Sequence, residues 1–473
     1  MGCNQRCGLM TVAVIGAVLA ILGGILIPVG NHLVEKTIKK QSVIEEGTVA
    51  YQNWVVPGSP IYRQFWIFDV QNPEDVMMNG SAPILKQKGP YTYRMRYKSK
   101  VNITKYTDDI LTYFQPNIVR FEPGMSIGSE EDNVTTVNLA VVVAPTTNKV
   151  GFVQAMMNIY IKSSNSHFLQ TRTVKEILWG YEDPFLKKIP IGKIKTTVGV
   201  FYPYNETFDG PYRIYSGKCD LAKKGNIFTY NNSRTVTRWK SYCDMVNGTD
   251  GASFHPFLDK SEDLQFFSSD ICRSMSAKFE SEQMVKGIPL YRYVIPSSAF
   301  ASPVINPDNI CFCTRSEKVS QNCTLGGVLD ISACKAGKPV YISLPHFLHA
   351  SQEFFQYVEG LKPDAEEHKT FLDVEPNTGF TLHFAKRLQI NLLVRPNSKI
   401  TALQKIRHPF IFPILWLNET AVIGEEKADL FRSKVTNKIK LLHFLQLSLM
   451  LVGSVVFLAF LIAFFLCKVK SPK

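Results

Sequence analysis

Acidic residues are missing from both ends of this 473-residue chain: none precedes residue 31 and none follows residue 440. Inside those ends, residues 8–30 (GLMTVAVIGAVLAILGGILIPVG) and 441–466 (LLHFLQLSLMLVGSVVFLAFLIAFFL) carry no formal charge. Runs of that length exclude ordinary surface helices, and each is long enough to cross a bilayer. The first run is too long for a signal-peptide h-region, and no clear small-x-small site follows it. It is therefore expected to be an uncleaved signal anchor. Paired charges are absent from both runs, which argues against an ion pathway.

Catalytic constellations are also scarce. There is no Cys-x-x-Cys redox motif and no phosphate-cradling glycine loop. Glu366-Glu367-His368 lacks the spacing that puts two metal ligands on one helix face. Residues 124–128, GMSIG, spell a formal Gly-x-Ser-x-Gly. A nucleophile elbow needs a strand before the serine and a helix after it; Pro123 precedes this one and SEEDNVTT follows, so Ser126 is not expected to react. Isolated carboxylates such as Asp270 are expected to be structural or solvated. No repeat, low-complexity tract or Pro/Ser-rich linker divides the chain, so one compact domain is expected between the spans. No enzyme activity, cofactor or metal is expected.

What is present is a set of Asn-x-Ser/Thr sequons. Asn79, Asn102, Asn133, Asn205, Asn231, Asn247, Asn322 and Asn418 begin them, all between the two spans. Their confinement to one segment outweighs the local charge balance around the first span and puts 31–440 in the secretory lumen. The expected organisation is a cytosolic 1–7, a first span 8–30, a glycosylated extracellular domain 31–440, a second span 441–466 and a cytosolic tail 467–473. The route runs through endoplasmic reticulum and Golgi, with both termini cytosolic.

That placement bears on the cysteines. Residues 311–334, CFCTRSEKVSQNCTLGGVLDISAC, hold four of the seven lumenal ones. An oxidising lumen favours disulfides over zinc or redox chemistry. Cys219, Cys243, Cys272, Cys311, Cys313, Cys323 and Cys334 are odd in number, so at least one is free or bonded to another chain. Spacing alone leaves the pairing of the rest open. Cys3, Cys7 and Cys467 lie beside the bilayer on the other side and are candidates for palmitoylation.

The chain carries a net charge of +13. All 40 acidic residues lie in 31–440, with all but four of the 53 basic ones (Arg6, Lys468, Lys470 and Lys473 lie outside), so the lumenal segment stays net basic. Clusters stand at Lys86/Lys88, Arg94/Arg96/Lys98/Lys100, Lys187/Lys188/Lys193/Lys195 and Lys335/Lys338. They suit anionic partners outside the cell; nucleic acid is excluded on the lumenal side.

Short alternating runs, among them GPYTYRMRY (89–97), TTVGVFYPY (196–204), PLYRYVI (289–295), PVYISLPHF (339–347) and a long one over 380–394, predict antiparallel sheet with many turns. Ala428, Phe431, Val435, Ile439 and Leu442 predict one apolar helix face running into the second span. VGFVQAMMNIYIK predicts a helix near 150–162. A second follows, with Thr173-x-x-Glu176 as capping box and Gly180 as stop. The pair reads either as a buried helical hairpin or as an exposed cap whose apolar face meets a lipid or partner.

Longer blocks resemble the class B scavenger receptors: YRQFWIFDVQNPEDV (62–76), GPYTYR (89–94), ILWGYEDPF (177–185), FFSSDICRS (266–274), NPDNICFCT (306–314), VYISLPHF (340–347) and PILWLNET (413–420). The resemblance spans the whole chain. It implies a membrane protein with two transmembrane helices and an α+β ectodomain on an antiparallel β-barrel core. A helical apex and a hydrophobic lipid tunnel complete that fold. It further implies the disulfides Cys243–Cys311, Cys272–Cys334 and Cys313–Cys323, with Cys219 free. In the apex helix Phe152 matches an exposed phenylalanine; where the family has a reactive lysine this chain has Ser163, with Lys162 beside it. The implied partners are long-chain fatty acids, oxidised lipoproteins, anionic phospholipids and thrombospondin. Cytosolic kinases and co-receptors would carry signalling. CKVKSPK lacks the Leu-Ile sorting signal of the family's lysosomal member, so plasma membrane rafts are expected, and Lys468, Lys470 and Lys473 are the candidate ubiquitin acceptors. Adhesion to matrix proteins and lysosomal lipid transport are the alternatives.

Overall fold

The computed structural model describes residues 2–107, 109–147, 150–190, 195–313 and 323–469. It divides into two compact units. The first holds Met1–Ser42, Met284–Pro289 and Gly424–Lys473; the second holds Val43–Gln283 and Leu290–Ile423.

The first unit is built on two long helices, Gly2–Ser42 and Asn437–Val469. Each is long and apolar enough to span a membrane. Small residues let their backbones meet. A Cβ at Gly23 would lie 2.6 Å from Met450 N, and one at Gly16 only 2.5 Å from Phe457 N. Gly453 returns the contact, 2.3 Å from Ala20 N. This close approach replaces the hydrophobic drive that lipid does not supply. Gln446 is buried in the seam and donates Nε2–H to the Leu26 carbonyl at 2.7 Å, which partly satisfies its amide. The expected face Ala428, Phe431, Val435, Ile439 and Leu442 is the less exposed stripe through helix Glu425–Phe431, a wider turn at Arg432–Thr436 and the long helix.

The second unit is α+β. Its main sheet has eleven strands: β1 (Ile61–Val70), β2 (Leu85–Met95), β3 (Arg120–Phe121), β4 (Leu264–Ser268), β5 (Arg273–Val285), β6 (Ile288–Val294), β7 (Val328–Asp330), β8 (Val340–Ser343), β9 (Phe371–Val374), β10 (Thr381–Val394) and β11 (Phe410–Val422). The path runs β4-β5-β6-β9-β10-β11-β1-β2-β3, with β8 also on β10 and β7 on β8. Every ladder given for it is antiparallel. No ladder among the described residues joins β3 to β4. The long run over 380–394 is β10, whose pairing with β11 shifts at Ile390/Asn391, a bulge that bends it. Smaller antiparallel sheets flank it; one pairs Asn133–Val137 with Leu169–Thr173.

Two local expectations change. TTVGVFYPY contributes only Thr197–Val198 as strand. Beyond it Gly199 presses on Gly180 (a Cβ would lie 2.7 Å from Gly180 N), and Val200 and Phe201 donate to the carbonyls of Ile177 and Leu178. The segment thus closes a helix end instead of extending a sheet. The helices Gly151–Ser163 and Val174–Trp179 also do not form a hairpin, because the strand Leu169–Thr173 lies between them. The capping box Thr173/Glu176 and the stop at Gly180 (φ 120°) are both in place.

The core is aromatic. Phe65, Phe68, Tyr93, Phe185 and Phe412 are fully buried. Trp66 on β1 and Trp416 opposite it on β11 stack at 3.8 Å between centroids. Buried aromatic side chains of this size dominate the apolar stabilisation of a core.

Candidate functional site

Helix Gly151–Ser163 is apolar on two faces. Inward, Ile161 is buried, and Met157 and Tyr160 pack against the core. Outward, Phe152 is 76% exposed and Ile159 57%. Seven residues apart, they share one face. Lys162, three residues past Ile159, is exposed beside them at the last turn. Two further lysines stand at the helix ends. Lys188 donates Nζ–H to the Ser163 carbonyl, one of the acceptors a helix end leaves open. Lys399 lies so close to Gly151 that a Cβ there would be 2.4 Å from its Nζ. The helix is held from outside its own turns: Asn158 Oδ1 accepts from Thr401 N–H at 2.8 Å. The result is an exposed apolar strip bounded by cations. The structure brings Phe152 and Lys162 onto one exposed helix, with Ser163 next to Lys162; Ser163 Oγ donates to the Tyr160 carbonyl.

Sequence reasoning missed a buried charge cluster in the sheet. Arg63 on β1 is fully buried and donates Nε–H to Glu419 Oε2 of β11 at 2.7 Å. Asp270 lies 3.4 Å from Arg63 Nη2 and 2.5 Å from Lys386 Nζ. Arg96 reaches Glu419 at 3.9 Å. Burial raises the Glu419 carboxyl, but Arg63, Arg96 and Lys386 more than offset it and hold the group at about 2. Two lysines are buried elsewhere. Lys224 donates to the Thr378 carbonyl at 3.3 Å and is pushed down to about 7 by burial. Burial pushes Lys100 to about 8, under the rings of Trp54 and Tyr113. No short motif could have revealed these groups, since their partners are distant in sequence.

Cys243–Cys311 and Cys313–Cys323 are disulfide-bonded. The third expected pair differs: Cys272 and Cys334 are thiols in hydrogen-bond contact. The contact pulls the Cys272 thiol below its usual range, and the same contact, with burial, lifts Cys334. Cys219 is an exposed free thiol.

Among the sequon residues Asn79, Asn102, Asn133, Asn205 and Asn231 are exposed. Asn247 and Asn418 are half-buried, and Asn418 Nδ2 donates to Gln64 Oε1 at 3.0 Å. Asn322 lies outside the described residues, as do Lys193, Lys470 and Lys473. Cys7 is exposed near the start of the first long helix; Cys3 also lies in that helix, and Cys467 and Lys468 in the second. Ser126 follows a single 3-10 turn, with Oγ donating to the Glu122 carbonyl and accepting from Thr92 N–H. That is not the strand-to-helix turn of a nucleophile elbow.

The model of the CD36 family matches residues 14–464. Lysosome membrane protein 2 of Mus musculus is 34% identical over 437 residues, covering 91% of this chain and 89% of that protein. The Homo sapiens protein of the same name is 34% identical over 438 residues, with the same coverage of 91% and 89%. Scavenger receptor class B member 1 of Rattus norvegicus is 31% identical over 453 residues, covering 94% and 87%. The chain belongs to the CD36 family of class B scavenger receptors, as a membrane protein with two terminal spans.

Proposed function

We propose that this member is a cell-surface receptor for long-chain fatty acids, oxidised lipoproteins and anionic phospholipids, and that it eases fatty-acid uptake. The observation that carries the reading is the helix Gly151–Ser163, where the exposed Phe152/Ile159 face is bounded by Lys162, Lys188 and Lys399. An amphipathic anion needs both features. A chain of roughly 16 methylenes gains ~0.8 kcal/mol for each one kept out of water. The lysines attract the carboxylate or phosphate head. A hydrophobic tunnel through the ectodomain would take the tail. No bond is made or broken, so the receptor reading calls for no catalytic group and no cofactor.

In this reading residues 31–440 face outward with their sequons glycosylated, and both termini are cytosolic. Cys3, Cys7 and Cys467 are palmitoylated in plasma membrane rafts, Lys468, Lys470 and Lys473 accept ubiquitin, and kinases or co-receptors carry the signal. Thrombospondin binding is compatible with it. Lysosomal lipid transport is the second reading, favoured by the 34% identity to proteins named for the lysosome membrane.

The test is made in cells lacking other such receptors. Surface biotinylation of the full chain, with binding of labelled oxidised lipoprotein and a rise in oleate uptake, is the expected result. Confinement to lysosomes would overturn the surface reading.

A further inference from the structure

Arg273, the first residue of β5, is 7% exposed, and no carboxylate pairs with it among the described residues. Its Nη2 donates to Asn309 Oδ1 at 3.3 Å, while Nε has no partner. Phe312 lies 3.8 Å and Phe300 5.7 Å from the guanidinium carbon. The rings hold the cation but bring no counter-charge. Burial alone pushes the group down to about 9. A buried cation without an anion is costly, and proteins rarely keep one.

Arg273 also lines a partly open pocket. Ser302, 3% exposed, lines it too, and its Oγ also lacks a partner. The pocket's other walls are mainly apolar, from Phe300, Phe312 and neighbouring aliphatic residues. Among the described residues Asp330 is the one carboxylate in the lining, and its Oδ1 accepts from the Ser332 N–H and O–H. We infer that this pocket binds a small monocarboxylate, with Arg273 and Ser302 donating to its oxygens and the rings flanking its short apolar body. A planar guanidinium fork matches a carboxylate, and a charge-assisted bond of this kind is among the strong ones. The pocket shares no lining residue with the helix Gly151–Ser163.

The test is fluorine NMR of trifluoroacetate added to the purified full chain in lipid nanodiscs, with unlabelled butyrate as competitor. Saturable broadening reversed by butyrate is expected. Arg273→Gln should weaken binding about tenfold or more, the scale of one charge-assisted hydrogen bond. Ser302→Ala should weaken it less, with the Cys243–Cys311 and Cys313–Cys323 bonds intact. A merely structural arginine would change stability and leave the wild-type signal without saturation, which overturns the inference. So would equal affinity in both variants, or phosphate competing as well as butyrate. If Arg273→Gln does not fold, the wild-type titration and Ser302→Ala decide the matter.

Discussion

Arg63 of β1 and Glu419 of β11 are register partners on adjacent antiparallel strands, and their side chains are ion-paired with almost no exposure to water. Each is compensated by the other, so the two cannot be removed independently. Arg63→Met should cost about 3–5 kcal/mol, because it leaves Glu419 buried with only the more distant Arg96 and Lys386. The double variant Arg63→Met/Glu419→Met should cost clearly less than the two single changes together. Denaturant unfolding of the four proteins measures this; strict additivity would show that the pair is not coupled.

His346 predicts an acid sensitivity. Burial, helped by His368, lowers it from the ordinary 6.5 to about 4. The unfolded chain therefore takes up the proton first, and stability falls as pH drops from 6.5 towards 4. The loss from this group is of the order of 3 kcal/mol. Its backbone has φ +53°, which asparagine tolerates. His346→Asn should therefore flatten the pH slope in that window, while the Glu419 contribution, lost nearer pH 2, remains. An unchanged slope between pH 6.5 and 4 would show that His346 is not its source.

Cys272 and Cys334 should close a third bridge in the secretory pathway. The two thiols lose two protons and two electrons to a disulfide oxidant such as an oxidoreductase of the lumen. Non-reducing peptide mapping of the full chain should find Cys272 linked to Cys334 beside the two existing bonds. Cys272→Ser should cost roughly 2–4 kcal/mol. Free alkylation of both cysteines without reductant would contradict the pairing.

The helix seam can be tested with an internal control. A Cβ at Gly23 would collide with the Met450 backbone, whereas Gly24 has nothing within 4 Å. Gly23→Leu should lower stability in lipid by about 1–3 kcal/mol, and Gly24→Leu should be nearly neutral. Equal effects at the two positions would mean that the helices do not meet along this face.

On the helix Gly151–Ser163, Phe152→Ala should weaken fatty-acid binding several-fold through lost apolar contact. Lys162→Ala should act mainly at low salt, since its contribution is a screened surface field. Binding isotherms of oleate at two ionic strengths separate the effects.

Much of this was legible in the sequence, for identifiable reasons. Charge-free runs mark the spans because lipid tolerates little else, and the capping box at Thr173/Glu176 is a local signal complete within four residues. The apolar stripe from Ala428 to Leu442 is periodic and was readable by spacing alone. What stayed hidden is non-local. Arg63 and Glu419 are separated by most of the chain, and nothing near Arg63 announces a partner. Arg273 looks like any strand arginine until the folded chain seals it among Phe300, Phe312 and Asn309. The fate of TTVGVFYPY was decided by a glycine–glycine contact between segments, which alternation cannot report. Phe152 and Lys162 entered through resemblance; their exposure on one helix came from the structure.

On the proposed function, the ectodomain takes up fatty acid as a bound guest. Native mass spectrometry of the delipidated full chain, released from detergent micelles and titrated with oleate, tests it most directly. Saturable addition of one or a few fatty-acid masses is expected, displaced by oxidised phospholipid and reduced in Phe152→Ala. A protein whose disulfides and glycans are intact but which gains no fatty-acid mass, while still binding thrombospondin, would contradict it.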